Sequence, residues 1–193
     1  IEVKAGYEDI SDTIDKILIG TDDSGIGNIG SAWRKTLETN INTRFGFIGF
    51  PSAVLTFSYT YEESETTDPF TGERRSLRYS TPDYFQVSFR HDVEGTNFAY
   101  GFNAHRRSGR LRQDVSLFEV TDFEIHLGSA FVEYNFTPSV KLGFAGSHFL
   151  NEDGRTFDKT FYDGTIADGV IRRVDFQDWR IDPDYVLSLQ ATF

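Results

Sequence analysis

Along most of this chain, apolar side chains recur at every second residue, and no other feature narrows the choice of folds so far. Val3, Ala5 and Tyr7 point one way, with Glu2, Lys4, Gly6 and Glu8 pointing the other. Leu37, Ile41 and Phe45 oppose Arg34, Glu38, Asn40, Asn42 and Arg44. Leu55, Phe57, Tyr59 and Tyr61 form a third such row, Phe85, Val87 and Phe89 a fourth, and Phe98, Tyr100, Phe102 and Ala104 a fifth. A period of two belongs to an extended strand with one apolar face. Helical candidates such as 10–19 are short and carry Thr and Gly, so the chain reads as all-β.

A sixth strand begins with Phe123, Ile125 and Leu127, but its apolar set then moves to Ala130, Val132, Tyr134 and Phe136. One extra residue switches every later side chain to the other face, so a bulge is expected near Gly128 and Ser129. Val140, Leu142 and Phe144 mark the seventh strand, and Tyr185, Leu187, Leu189, Ala191 and Phe193 the eighth. Connections 45–52, 93–96 and 137–139 are short, while 20–30, 63–82, 108–121 and 151–183 are long and rich in Gly, Asp and Arg. Short and long connections in alternation describe an up-and-down meander with all long loops at one end.

Two architectures accept that pattern. A water-soluble sandwich or barrel buries the apolar face, whereas a membrane barrel turns it to lipid and lines a wet lumen with the polar one. Tyr59, Tyr61, Tyr134, Phe136, Tyr185 and Phe193 lie near strand ends, as in an interfacial aromatic girdle. Strands of about ten residues match a tilted membrane span. Short turns on one side and long loops on the other match outer-membrane topology. The membrane β-barrel is therefore the expectation, with 1–193 as one barrel segment.

Composition removes several other classes. With 38% hydrophobic residues, no stretch approaches the roughly 20 apolar residues of a membrane-spanning helix. Cys is absent, which excludes disulfides, thiolate metal sites and cysteine nucleophiles. Met is absent too, which points to a processed chain or a fragment. A net charge of −11 without a basic stripe argues against nucleic acid as a partner.

Several stretches together resemble one family. IEVKAGYEDISDTI opens the chain, FSYTYEESETTDPFTGERR follows as a tyrosine-rich strand and acidic loop, and EYNFTPSVKLGFAGSHFLNEDG forms two strands around a tight turn. The chain then closes on DYVLSLQATF, an amphipathic strand ending in an aromatic residue. In this order they resemble the C-terminal part of a TonB-dependent outer-membrane receptor. The resemblance implies roughly the last third of a barrel of about 22 strands, with the plug and TonB-engaging segment outside this chain. It implies uptake of a bulky scarce solute, such as a metal–siderophore chelate, in the bacterial outer membrane. Tyr185, Leu187, Leu189 and Phe193 would be the signal read by the barrel-assembly machinery. Partners would be the rest of the receptor, the TonB system through the plug, and outer-membrane lipid and lipopolysaccharide. The alternative is a self-contained eight-stranded outer-membrane barrel. A third reading, a secreted carbohydrate-binding β-sandwich, needs the Phe and Tyr faces as its core.

No catalytic pair passes a test of faces. Ser147 and His148 are adjacent on a strand and point to opposite sides. His91, His105, His126 and His148 lack metal-ligand spacing. The expectation is a non-enzyme with neither cofactor nor metal. Candidate ligand contacts are Arg74, Arg75 and Arg78 in one long connection and Phe161, Tyr162 and Trp179 in the last. Guanidinium groups suit anionic ligands or lipopolysaccharide, and exposed rings make ligand platforms. Against this, the arginines have abundant acidic neighbours to pair with, and the rings could fold the loop upon itself.

Overall fold

The computed structural model describes residues 1–123, 126–148 and 155–192. Its strands in chain order are β1 (Glu2–Ile10), β2 (Ile14–Leu18), β3 (Ser24–Asn28), β4 (Ala32–Phe45), β5 (Phe50–Thr67), β6 (Arg74–Arg75), β7 (Asp83–Asp92) and β8 (Phe98–Arg107). They continue with β9 (Arg110–Asp114), β10 (Leu117–Phe123), β11 (His126–Thr137), β12 (Val140–Ser147), β13 (Arg155–Tyr162), β14 (Ile171–Trp179) and β15 (Asp184–Ala191). The fold is all-β, and every strand pairing is antiparallel.

The principal sheet runs β1-β4-β5-β7-β8-β11-β12-β15, with β6 paired to the end of β5. These eight strands are the eight of the alternating pattern, and they neighbour one another in chain order. Their register carries the alternation across the whole sheet. Tyr59 meets Thr39 and Phe85, and Phe89 meets Leu55 and Phe102. Tyr100 meets Val132, which meets Phe144, which meets Leu187. The opposite face aligns Glu8 with Arg34 and Ser64, then Ser88 with Thr56 and Asn103, then Glu133 with Gly143. One face is mostly apolar from edge to edge, and the other is mostly polar, with Phe131 lying on it beneath Arg90.

Neither face carries a hydrophobic core. Among the described residues, the buried apolar side chains are only Ala32, Ala53, Ala99, Val115 and Ile166. Phe102 remains 38% exposed, Val132 41% and Leu187 72%. The rings touch sideways along the face instead: Phe89 lies 5.8 Å from Phe102 and Phe144 stacks 6.1 Å from Tyr185. Such cross-strand pairs contribute roughly 0.2–1 kcal/mol each, far less than a packed interior. A β-sandwich would need these rings as its core, and they form none.

The expected bulge is present. The β8–β11 ladder shifts register between His126 and Ser129. Other expectations need correction. Phe123 ends β10 rather than opening the sixth wall strand, which starts at His126. The long connections are largely strands: 10–19 contains β2, which pairs with β3, and β14-β13-β10-β9 form a separate four-stranded sheet. The period of two gives no apolar face there because β2 and β9 bury Asp15 and Gln113 while β14 lies almost wholly exposed. The eight principal strands do not close on themselves, since β1 and β15 pair only with β4 and β12. Phe193, Ile125 and Glu152 lie outside the described residues.

Candidate functional site

All the long connections arise at one end of the principal sheet, and three of them converge on a buried ionic cluster. Its centre is set by local sequence. In Asp68-Pro69-Phe70-Thr71-Gly72, proline fixes its own φ, and Gly72 adopts φ 74 where a side chain would be strained. Asp68 Oδ1 then accepts from the Phe70 and Thr71 amides, each at 2.9 Å, and Oδ2 accepts from Arg75 Nε at 2.6 Å. Asp68 is 1% exposed.

Arg75 extends the cluster to β2, donating through Nη2 to Asp15 at 2.9 Å and through Nη1 to the Ser76 carbonyl at 3.0 Å. Arg78 donates to the other Asp15 oxygen at 3.3 Å and approaches Asp114, at the end of β9, at 4.0 Å. Lys16 lies 3.8 Å from Asp114. Three carboxylates and three cations thus join β2, the β5–β7 connection and the β9–β10 hairpin. Burial raises the Asp114 carboxyl, but the Ser24 hydroxyl, the Val115 amide, Lys16 and Arg78 outweigh it and hold the group below its ordinary value of 3.8.

The candidate arginines therefore divide. Arg75 and Arg78 are buried and committed to carboxylates, so they are not free to meet an anionic ligand. Arg74 is exposed but pairs with Glu65 at 2.6 Å. Of the aromatic candidates, Phe161 lies beneath the Arg173 guanidinium at 4.5 Å, and the exposed Trp179 meets Phe157 edge to face. Tyr162 alone joins the arginine loop: with Asp68, Arg74 and Arg75 it lines a cavity of about 530 Å³. His148 lies 3.7 Å from Asp184 and is not paired with Ser147. Among the described residues, no three His, Asp or Glu side chains could share a metal ion.

Asp15 and Asp114, and Gln113 in the lining of the same cavity, went unrecognised in the sequence. Nothing in the spacing of β2 and β9 shows that these hairpins meet. The turn chemistry of Asp68-Pro69 through Gly72 was the one legible signal, since that combination fixes a carboxylate inside its own turn.

No family model, curated protein or solved structure matches this chain.

Proposed function

We propose that the chain forms part of the wall of an outer-membrane transport receptor of the TonB-dependent kind, taking up a bulky scarce solute such as a metal–siderophore chelate. The observation that carries this reading is the single apolar face, in register over eight strands, with no second layer upon it. In water, so large an uncovered apolar surface is a liability; in a bilayer it meets acyl chains.

Three further features support it. The polar face holds its own charges in a network, with Glu133 between Arg90 and Lys141, both at 2.9 Å, as suits a wet lumen. The short connections share one end and the long ones the other. Both β1 and β15 present unpaired edges, which lipid does not tolerate, so further strands of the receptor would continue the wall on either side. This segment supplies wall and rim, while the plug and TonB drive transport.

Cell fractionation with a heat-modifiability gel tests the proposal. The intact protein should follow the outer membrane and migrate faster before boiling than after. Recovery only in the soluble fraction overturns it.

A further inference from the structure

The cavity beside the ionic cluster has a lining that the wall reading leaves unused. One side is the loop that runs from Asp68 to Arg75, and the other is a face of the four-stranded sheet. Leu111 and Gln113 alternate on β9, and Gln113 stands in register with Phe118 of β10. The turn after β13 closes the far end, its Ile166 amide donating to the Val115 carbonyl at 2.6 Å. At about 530 Å³, the space lies in the ordinary range for small-molecule sites.

The polar groups that open on it without a protein partner define the occupant. Gln113 is only 7% exposed and lines the cavity, yet its amide makes no side-chain hydrogen bond among the described residues. The amide is not sealed from solvent, so ligand hydroxyls can take the place of water on it. The Tyr162 hydroxyl also makes no hydrogen bond among the described residues. Charge, by contrast, is already balanced: Asp68 holds Arg75, Arg74 pairs with Glu65, and the lining carries two acids and two bases. Phe118, Leu111, Ile166 and Ala167 add an apolar floor.

We infer that this cavity is a binding site for a neutral, hydroxyl-rich ring of the pyranose type. The Gln113 amide both donates and accepts, so it can serve two neighbouring hydroxyls at once. The Tyr162 hydroxyl offers a third contact, and the Phe118 ring packs against the C–H face of the sugar. A carboxylate or phosphate ligand would find no uncommitted buried cation here. The inference goes beyond the wall reading and stands on the cavity alone. The ring could belong to a free solute or to the saccharide of lipopolysaccharide.

Saturation-transfer NMR on the intact protein, in a detergent without a sugar headgroup, tests it with two probes. One is glucose, galactose and mannose; the other is neutral oligosaccharide released from lipopolysaccharide. Transfer to ring protons is expected for at least one probe, and the responding probe names the source. Gln113→Leu should weaken that binding about three- to tenfold. Tyr162→Phe should weaken binding too, and Glu94→Gln, at a turn of the opposite end, should leave it unchanged. No transfer from either probe overturns the inference, as does undiminished transfer in both cavity variants. Soluble behaviour with intact sugar transfer would remove the wall reading and leave this one standing; outer-membrane recovery without transfer would do the reverse.

Discussion

Substituting arginine at three positions of the principal sheet measures which face meets lipid. Val132 sits midway along β11, between Tyr100 of β8 and Phe144 of β12 on the apolar face. Val140 lies on the same face but at the turn end of β12, opposite Ala191. Ser88 sits midway along β7 on the polar face, between Thr56 and Asn103. If the apolar face meets lipid, Val132→Arg places a guanidinium near the bilayer midplane and costs about 2–4 kcal/mol, whereas Val140→Arg near the interface costs about 0–1. Ser88→Arg enters a wet lumen and stays within about 0.5 kcal/mol, as ordinary surface changes do. Val132 is already 41% exposed, so in water its replacement would behave as a surface change too. Urea unfolding of the intact protein in lipid vesicles, followed by Trp33 and Trp179 fluorescence, gives all three values. Equal costs at the three sites, or a largest cost at Ser88, would refute the orientation.

The remaining predictions concern the long connections and the labelling of the wall. Arg75→Leu strands Asp68 as a buried carboxylate without its cation and leaves Asp15 to Arg78 alone; it should cost about 3–5 kcal/mol, read as lost hydrogen-exchange protection at the Phe70 and Thr71 amides. Arg74→Ala breaks only an exposed pair with Glu65 and should cost about 0–1 kcal/mol in the same unfolding assay. Asp114 has a depressed folded pKa, so its contribution is complete above the ordinary carboxylate value and is lost as pH falls through the folded one. Asp114→Asn should accordingly remove part of the acid-induced destabilisation below about pH 4, measured as Tm against pH. Because the chain has no Cys, Leu187→Cys and Ser188→Cys can each be labelled alone. A lipophilic maleimide in vesicles should favour position 187, and a water-soluble one position 188.

The eight principal strands were legible because each has one apolar and one polar face, and a period of two survives whatever surrounds the sheet. Even the bulge between His126 and Ser129 announced itself, since an inserted residue flips the parity of everything after it. The polar stripe and the short turns followed from the same local chemistry. Tertiary structure alone decided three matters. It placed the side chains of Phe102, Tyr100 and Leu187 on an uncovered face rather than in a core, a choice the alternation leaves open because both arrangements share its period. It left β1 and β15 as separate edges, because closure depends on twist and register summed over the whole sheet. It also spent Arg75 and Arg78 on Asp15, Asp68 and Asp114 while leaving the Gln113 amide unpaired. Those contacts join residues as much as 63 positions apart, and no local pattern encodes which hairpins will meet.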